Sequence, residues 1–368
     1  MKYLHYMKIP SPVYNNMIIE MIANNKQVDI NEHEFIITNR ESFEVSKKYK
    51  NVIFDPNYNV DKINHNSRNY DYIFIHGFSF KYYEQLLLKK KSLKKMIWCV
   101  WGHDLYKISE YNRREDENPI LRLIKKILFY TVQIPKIKNI FAIGAGFEYD
   151  RLEAKKIYGI KNVVSAPYGL GYDLALIDKV MMNYDSSFQE RKTINVMIGH
   201  CAYSFLKHME VMRLLERFKG ENIKIMLPLN YGDERYKAEL LSALKKTDLE
   251  YEVLLEFMKA EDYLEYLKKV DIAIFDFKHQ AAMATIMILL YMGKKIYLPK
   301  DSIVYKGFLK EGIEVFDYEK IQDESYEIFS DFSFDKSKGI QFTRKRLDIN
   351  WISGEWKALF DFCERSKL

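Results

Sequence analysis

The sequence predicts an α/β protein with two successive doubly wound domains. Its 368 residues suit two domains better than one, at roughly 100–200 residues per domain. Short runs rich in β-branched and aromatic residues alternate with helix-length amphipathic segments, which is the pattern of βα units in a parallel sheet. The alternation stops in a polar stretch at residues 170–192 and then begins again. We therefore expect an N-terminal domain at 1–175, a second domain at 190–340 and a C-terminal helical segment at 341–368.

The predicted elements follow one another in the order that such sheets require. The strand candidates of the first domain are YLHYM, EFIIT, NVIFD, YDYIFIHG, KMIWCVWG, NIFAIG and NVVSAPYG. Its helical segments are VYNNMIIEMIANN, SFKYYEQLLLKK, PILRLIKKILFYTV and GFEYDRLEAKKIYG. In the second domain the strands INVMIGH, IKIMLPLNYG, YEVLLEF, DIAIFDF and KKIYLP alternate with four helical segments in the same way. The last stretch of the chain indicates a helix with Trp351, Trp356 and Phe360 on an apolar stripe.

Composition excludes several classes of protein. An apolar fraction of 48% with 15% aromatic residues supports packed cores rather than disorder. No apolar run approaches the roughly 20 residues that a membrane-spanning helix needs, and the first residues lack the pattern of a signal peptide. The cysteines, Cys99, Cys201 and Cys363, form no C-x-x-C pair, so neither a disulfide framework nor a zinc site is expected. These features together predict a folded cytoplasmic protein.

The net charge of +6 is accompanied by two lysine-rich segments. Residues 86–95 read LLLKKKSLKK, and residues 121–138 read LRLIKKILFYTVQIPKIK. Each segment indicates either a surface for an anionic partner or a solvated lysine face. Nucleic acid is not an expected partner, because aromatic and basic residues are not interleaved in a recognisable binding motif.

Candidate functional residues lie at the junctions between strands and helices, because doubly wound sheets bind ligands beyond the carboxyl ends of their strands. His76 and Gly77 end the run IFIHG. A histidine at a strand tip is expected to be exposed and to titrate near neutral pH, so it suits a base or a phosphate ligand. The alternative is a histidine that caps the following helix.

The run KKMIWCVWGHDLY ends in a second unusual junction, formed by Trp101, Gly102, His103 and Asp104. Gly102 frees the backbone where the strand ends, and Asp104 lies where the next helix would begin. A carboxylate there commonly accepts backbone N–H bonds as a cap, which contributes about 0.5–2 kcal/mol. Beside an aromatic side chain it also suits a general base or a clamp on a sugar hydroxyl. The cap alone explains neither Trp101 nor His103.

Two junctions in the second domain suit an anionic ligand. Gly199 allows a tight turn after a strand, and the next helix, expected to open near residues 206–209, would present free N–H groups to a diphosphate. The G-x-G-x-x-G dinucleotide fingerprint is absent. Further on, Lys278 and His279 lie beside the small-residue start of another helix and would donate to phosphate oxygens. The alternative there is a buried Ala-rich helix with a polar first turn.

Four segments, HGFSF, WCVWGHDLY, IMLPLNYGDERY and QAAMATIMILLYMGKKIYL, resemble those of one family. This is the bacterial 4-alpha-L-fucosyltransferase family, glycosyltransferase family 56, whose members are dTDP-N-acetylfucosamine:lipid II N-acetylfucosaminyltransferases of enterobacterial common antigen synthesis. The resemblance runs in order from about residue 70 to residue 318, and its most specific pieces are WGxDLY and PLxYGDxxY.

The resemblance implies a GT-B glycosyltransferase, with two Rossmann-like doubly wound domains that face a central crevice. It implies inversion at the sugar carbon, no metal, and no cofactor other than a nucleotide-sugar co-substrate, dTDP-sugar being favoured. By position, Asp104 and His76 are the candidate bases, Asp104 being preferred as the group that deprotonates the acceptor hydroxyl. The implied acceptor-side residues are Gly77, Trp101, Gly102 and His103. The implied donor-binding residues are Gly199, His200, His208, Tyr231, Gly232, Asp233, Glu256, Lys278, His279, Gln280 and Thr285.

The chain departs from the family pattern on the donor side. His200 and Cys201 replace the usual Asn-Ser after Gly199, His279 replaces an arginine, and Ala284 replaces a glycine at a helix start. An arginine binds diphosphate bidentately. We therefore expect His279 to bind a diphosphate less firmly and with a dependence on pH.

The family's acceptor is an undecaprenyl diphosphate-linked saccharide, which implies peripheral attachment to the inner face of the plasma membrane. The run PILRLIKKILFYTVQIPKIK combines apolar residues with Lys and Arg, and it could lie on anionic lipid as an interfacial helix. A buried helix with surface lysines is the alternative.

Three other functions are compatible with the same sequence. The first is a GT-B transferase that uses a UDP-sugar to make capsule or teichoic-type polymers, and the second is a UDP-sugar epimerase of the same architecture. The third is a catalytically inactive nucleotide-binding homologue, which the departures at His279 and Ala284 suggest.

Overall fold

The chain folds into two compact units, each built around a parallel sheet. The computed structural model describes residues 1–8, 11–102, 104–106, 118–182 and 193–367. The first unit combines Met1–Gly171 with Asp348–Leu368, and the second is Tyr172–Leu347. The prediction of two α/β domains is confirmed.

The first unit contains a seven-stranded sheet in the order β3-β2-β1-β4-β5-β6-β7, in which all paired strands are parallel. The strand order reverses between β1 and β4, which makes the carboxyl ends of these two strands the switch point of the sheet. Strands β1 and β4 are buried along their whole length, as expected for a parallel sheet covered by helices. The strands are β1 Tyr3–Met7, β2 His33–Ile37, β3 Val52–Phe54, β4 Tyr72–His76, β5 Met96–Cys99, β6 Ala142–Ala145 and β7 Val163–Ser165.

Helices connect these strands in the alternating pattern that the sequence predicts. A π-helical turn at Phe129–Gln133 joins two α-helices into one continuous helical segment. The helices are α1 Pro12–Asn24, α2 Arg40–Ser46, α3 Val60–Asn66, α4 Tyr82–Leu87, α5 Lys90–Leu93, α6 Pro119–Leu128, α7 Ile134–Ile137 and α8 Glu148–Tyr158, with a 3-10 turn at Ile30–Glu32.

The end of the chain returns to the first unit. A 19-residue helix, Ile349–Lys367 (α17), packs its apolar side on the first sheet. The indole Nε1 of Trp356 is buried and donates a hydrogen bond to the carbonyl oxygen of Pro167 at 2.8 Å. The segment predicted at 341–368 is helical, but it divides at Asp348 into the last helix of the second unit and α17 of the first.

The second unit contains a six-stranded parallel sheet in the order β10-β9-β8-β11-β12-β13. Its strand order reverses between β8 and β11, which places the switch point at the carboxyl ends of these strands. The strands are β8 Ile194–Ile198, β9 Ile223–Pro228, β10 Glu250–Leu254, β11 Ile272–Ile274, β12 Lys295–Leu298 and β13 Phe316–Asp317.

Helices of the second unit follow its strands. The helix α13 is buried along nearly its whole length. Its own side chains are apolar on nearly every face, as expected for a helix that is packed on all sides. The helices are α9 Leu174–Met182, α10 His208–Leu215, α11 Glu234–Leu244, α12 Ala260–Lys269, α13 Met283–Tyr291, α14 Ile303–Lys310, α15 Tyr326–Phe329 and α16 Ser337–Leu347. Short 3-10 turns lie at Ser204–Leu206, Glu216–Phe218 and Tyr318–Gln322.

No helix in the described ranges is both long enough and apolar enough to cross a bilayer. Cys99, Cys201 and Cys363 are buried free thiols. Each therefore behaves as a small apolar side chain of a core.

We predict that Trp356→Ala destabilises the first unit by about 3–5 kcal/mol, because it removes a large buried side chain and leaves the Pro167 carbonyl without its donor. Urea unfolding followed by circular dichroism measures the loss. The control is Ile349→Ala on the same helix, whose side chain is exposed and whose loss should stay within about 0.5 kcal/mol. Equal stability of the two variants would show that α17 is dispensable for the unit.

Candidate functional site

The predicted acceptor-side residues lie at the carboxyl edge of the first sheet. His76 is the last residue of β4, and Trp101 and Gly102 follow β5. Gly77 and Gly102 have φ angles of 79° and 87°, a region that glycine reaches at little cost. Both strands therefore end in sharp turns at the same edge. His103, predicted to belong here, lies outside the described residues.

Asp104 ties the two turns together. Its Oδ2 accepts hydrogen bonds from the backbone N–H of Phe78 at 2.9 Å and from the indole Nε1 of Trp98 at 2.6 Å. Its Oδ1 accepts from the backbone N–H groups of Trp101 at 2.9 Å and Leu105 at 3.1 Å. Both carboxylate oxygens are thus occupied by donors of the first unit itself.

These contacts are those of the alternative interpretation, in which Asp104 caps backbone N–H groups. Burial raises the pKa of Asp104 above its ordinary value, and the hydrogen bonds from Trp98, Phe78 and Trp101 act in the opposite direction. A base needs a lone pair directed at its substrate. The role of Asp104 as a base stays a prediction, and its contacts favour a structural role.

His76 is fully buried, so the expectation of an exposed histidine that titrates near neutral pH is wrong. Burial lowers the pKa of His76 to about 3, and the imidazole is neutral at physiological pH. Its Nδ1 lies 2.6 Å from the hydroxyl of Tyr168, and its Nε2 lies 3.1 Å from Nδ1 of His5. The helix-capping alternative is not observed either, because both ring nitrogens bond to side chains.

His76 is one end of a buried row of histidines that sequence reasoning missed. His5 Nε2 lies 3.0 Å from His33 Nδ1, so the three rings run diagonally across β4, β1 and β2. The ring of His5 stacks between Phe35 and Phe74, with centroids 4.7 Å away on each side. Desolvation lowers the pKa of His5 and His33 as well. The available signal was the histidine inside the apolar strand YLHYM, because a buried polar group needs partners.

Aromatic side chains cover the open end of this row. Trp101 and Tyr168 are partly exposed, and their ring centroids lie 4.8 Å apart. Tyr14, at the start of α1, meets Trp101 edge to face at 4.9 Å. Tyr168 follows β7 in the run NVVSAPYG, at a strand tip like the other candidates, and that position was the signal that would have found it. The edge therefore presents an aromatic surface with a hydroxyl bonded to His76.

The predicted donor-side residues meet at the switch point of the second sheet. Gly199 follows β8 with φ 65°, and its backbone N–H donates to the carbonyl oxygen of Ile274 at the end of β11. A Cβ on Gly199 would lie 2.9 Å from Nε2 of His208, the first residue of α10. Glycine is thus required both by the backbone angle and by the space that the imidazole takes.

His208 is buried, and its Nδ1 lies 3.1 Å from the hydroxyl of Tyr236. Its Nε2 has no hydrogen-bond partner in the part of the chain that the structure describes. Burial lowers the pKa of His208 to about 4, and the backbone at Cys201 acts in the opposite direction. His200 has a pKa lowered to about 3 by burial and by the neighbouring His208 and His279. These imidazoles are neutral without a ligand.

The segment from Tyr231 to Asp233 packs on the loop after Gly199. Ala202 forms an isolated parallel bridge with Gly232, and the N–H of Asp233 donates to the Ala202 carbonyl oxygen at 2.8 Å. Gly232 has φ 133°, and a Cβ there would collide with the backbone of Ala202. The Asp233 carboxylate caps α11 by accepting the Tyr236 N–H at 2.9 Å. The predicted pieces are therefore brought together, with Asp233 as a cap.

The loop after β11 leads into α13 beside the same switch point. Ala282, the residue before α13, has φ 54°, and Lys207, the residue before α10, has φ 47°. They are the only two non-glycine residues with positive φ in the described ranges. Neither α10 nor α13 has a side-chain cap. Two helices thus start at strained residues with N–H groups that no side chain caps.

Charged groups flank these helix starts. Lys207 Nζ lies 3.6 Å from Oδ2 of Asp276, a buried carboxylate whose pKa is raised by burial. Lys278 forms an ion pair with Asp301 at 2.7 Å, with both side chains about half exposed, and such pairs contribute little. His279 is largely buried, 5.4 Å from the ring of Phe205. The cationic side chains here are therefore partly balanced by carboxylates.

The remaining predicted donor residues differ in their positions. Gln280 lies in the same loop as His279, and its Oε1 has no hydrogen-bond partner among the described residues. Thr285 lies in the first turn of α13, with its hydroxyl 3.4 Å from that of Tyr263. Glu256 is exposed beyond β10, at the edge of the sheet and two strands away from β8.

No described cluster of three or more His, Cys, Asp or Glu suits a metal ion.

The family described as 4-alpha-L-fucosyltransferase, glycosyl transferase group 56, matches residues 2–351, nearly the whole chain. The chain belongs to this family. It is an enzyme, a glycosyltransferase, and the resemblance seen from about residue 70 to residue 318 extends over both units.

Several solved structures share the fold of this chain, although their sequences have little identity with it. HepE from Anabaena in complex with UDP and glucose aligns with a TM-score of 0.65 at 10% identity, over 98% of this chain and 99% of that one. Sucrose-phosphate synthase from Thermosynechococcus elongatus aligns at 0.62 with 9% identity over 100% of both chains. A glycosyltransferase from Rickettsia africae aligns at 0.59 with 15% identity over 98% of each chain. The predicted GT-B fold is confirmed.

We predict that Asp104→Asn lowers the free energy of unfolding of the protein by about 1–3 kcal/mol. The substitution replaces one carboxylate oxygen with an NH2 group, which cannot accept the hydrogen bonds that this oxygen receives. Thermal melts measure the change, with exposed Asp61→Asn as the control. Unchanged stability together with lost turnover would instead support Asp104 as the base.

We predict that Gly199→Ala destabilises the second unit by about 1–3 kcal/mol more than Gly312→Ala. Both glycines have positive φ, 65° and 72°, but a Cβ on Gly312 meets nothing within 4 Å. The difference between the variants, measured by chemical unfolding, therefore separates the contacts with His208 and Leu206 from the backbone penalty. Equal losses would mean that His208 moves aside freely.

Proposed function

We propose that this glycosyltransferase moves a deoxy-amino sugar from a nucleotide diphosphate sugar, dTDP-sugar being favoured, to a lipid-linked saccharide in bacterial surface polysaccharide synthesis. The reaction proceeds with inversion and without a metal ion, and the product belongs to a polymer like enterobacterial common antigen. The acceptor is an undecaprenyl diphosphate-linked saccharide, so the enzyme works peripherally at the inner face of the membrane.

The observation that carries the donor side of the proposal is the pair of helices α10 and α13, which start beside one switch point without side-chain caps. Helix N-termini stabilise phosphate oxygens through free N–H groups and the helix dipole. Backbone strain at Lys207 and Ala282 is typical of functional sites. Together these features support a diphosphate site in the second unit.

His208 supplies a further donor at this site. If the Tyr236 hydroxyl donates to Nδ1 of His208, the proton of the neutral ring is on Nε2, which has no partner among the described residues. A buried N–H without an acceptor is costly, and a phosphate oxygen would satisfy it. We propose that His208, with Lys278 and His279, stabilises the departing nucleoside diphosphate in the absence of a metal.

The acceptor side of the proposal rests on the edge of the first unit formed by Trp101, Tyr168 and His76. Aromatic faces suit the apolar face of a sugar ring, and the Tyr168 hydroxyl bonds to His76. The base in this proposal is Asp104 or His76. The carboxylate oxygens of Asp104 and the ring nitrogens of His76 are all hydrogen-bonded within the unit, and burial lowers the pKa of His76 to about 3, which weakens it as a base.

A UDP-sugar is the second candidate donor, because HepE, which shares the fold, was solved with UDP and glucose. An inactive nucleotide-binding homologue is the remaining alternative, motivated by His279 and Ala284. The three candidate functions differ in which nucleotide binds and in whether a sugar is transferred.

A thermal-shift panel with dTDP, UDP, GDP and CMP tests the donor. Binding to the native state at about 100 times the dissociation constant stabilises it by about 2.7 kcal/mol. We expect a shift with dTDP that Gly199→Ala abolishes and that Gly312→Ala retains. A shift with UDP alone would replace the donor assignment, and no shift with any nucleotide would favour the inactive homologue.

Transfer from the donor to an undecaprenyl diphosphate-linked saccharide tests the reaction once the nucleotide is known. Labelled sugar should appear in the lipid fraction. Release of free epimerised nucleotide-sugar without a lipid product would identify an epimerase instead.

A further inference from the structure

The helix α6 carries its apolar side chains on the outside of the first unit. Ile120, Leu123, Ile124 and Ile127 follow the i, i+3, i+4, i+7 spacing that places side chains on one face. In a globular protein this face normally packs on the core, yet α6 has no buried residue, and the exposed fraction of Ile120 is 71%. The alternative of a buried helix with surface lysines therefore does not hold for α6.

The exposed helix is held firmly at its C-terminal end. Phe129, Val132 and Gln133 of the π-helical turn are buried, and the Gln133 amide donates to the Tyr158 hydroxyl at 3.2 Å. The apolar face of α6 is thus presented by a fixed element of the fold.

A second exposed apolar row belongs to the neighbouring helix α4. Tyr83, Leu86 and Leu87 share one face of α4 and are more than half exposed. Two hydrogen bonds from Lys136 join the helical segment to α4, at 3.0 Å to the carbonyl oxygen of Leu86 and at 2.8 Å to that of Leu88. The hydroxyl of Tyr82 donates to the Lys125 carbonyl oxygen at 3.3 Å. The two rows therefore lie on helices that are bonded to each other.

The segments that carry these rows are rich in cationic side chains. The helices α4 and α5 with the residues around them, 82–94, and α6 with its cap, 118–128, contain seven cations and one carboxylate, Glu84. Lysines 89, 90, 91 and 94 are exposed. Arg122, Lys125 and Lys126 lie on the side of α6 away from its apolar row, so they add to the local potential. Exposed apolar rows in segments rich in cations match the anionic surface of a phospholipid bilayer.

We propose that α4, α5 and the apolar face of α6 form one membrane-docking surface, in which the side chains of Ile120, Leu123, Ile124 and Ile127 insert among acyl chains and the lysines of α5 bind anionic headgroups. This inference deepens the proposed function, because it names the surface that brings the enzyme to a lipid-linked acceptor. It joins the two lysine-rich segments of the sequence into one site.

The two parts of the surface make separable contributions. Lysines near an anionic surface each strengthen binding about fivefold at low salt, and about 0.5 M salt screens this contribution. Insertion of apolar side chains is insensitive to salt. Docking through both parts leaves a salt-resistant fraction of binding, whereas purely electrostatic attachment leaves none.

Flotation of the full chain with phosphatidylcholine vesicles, with and without phosphatidylglycerol, tests the proposal. The doubly substituted variant Ile124→Glu with Ile127→Glu should reduce the partition coefficient about tenfold or more, because it removes two inserted side chains. The control, Leu309→Glu with Ile328→Glu, adds the same charge at two positions of similar exposure in the second unit and should bind like the wild type.

Glutamine at 124 and 127 separates lost insertion from added charge, because it removes the apolar groups alone. We expect it to abolish the salt-resistant fraction of binding, whereas Lys90→Gln with Lys91→Gln should lower binding at low salt only. No flotation of the wild type, or equal flotation of the 124/127 variants and the control, would overturn the proposal. A dimer that the 124/127 variants dissociate, without any vesicle binding, would overturn it in favour of a second copy of the chain.

The measurement needs neither donor nor acceptor. A failure of docking with an intact dTDP shift would reject this surface and leave the transferase proposal standing. Docking to vesicles without a thermal shift from any nucleotide would support this surface and count against the transferase proposal.

Discussion

Every pair of neighbouring strands in both sheets runs parallel, and this constraint decides where the chemistry of the protein lies. Parallel strands end at the same edge, so each strand-to-helix loop of a unit emerges beside the others. In the first unit this brings His76, Trp101 and Tyr168 together although they follow three different strands. In the second it brings the loop after Gly199 against Gly232 and the start of α13. Helices are needed to return the chain after each strand, and two of them start at the switch point without side-chain caps.

The polar groups at the carboxyl edges of the two sheets differ in how they are hydrogen-bonded. In the first unit, Asp104 accepts four hydrogen bonds and the histidine row pairs ring with ring, which satisfies groups that would otherwise be costly to bury. In the second unit, α10 and α13 begin without side-chain caps, and Nε2 of His208 has no hydrogen-bond partner among the described residues. This difference is the physical basis for proposing an anionic ligand in the second unit. In the first unit, the bonded polar groups would support the aromatic side chains that we propose to contact a sugar.

The apolar face of α6 raises the converse question, because it is an apolar surface that the fold does not bury. The free energy gained from burial is the main force that stabilises a domain, so a fixed helix that leaves such a face in water requires another partner. The exposed lysines of the neighbouring segment 89–94 favour an anionic bilayer over the core of another protein.

The sequence by itself determined the two α/β units, most strand and helix positions and the family, because periodicity and local turn chemistry are written into neighbouring residues. It also predicted the junctions after β4, β5, β8 and β11. It missed the partners that decide their chemistry: the burial of His76, the histidines of β1 and β2, and the four donors to Asp104. The histidine contacts and the bond from Phe78 to Asp104 join residues distant in sequence, and α17 reaches the first sheet from the far end of the chain. Only the tertiary structure decided which side chains are buried, because burial depends on what packs against a face and not on the pattern of the face itself.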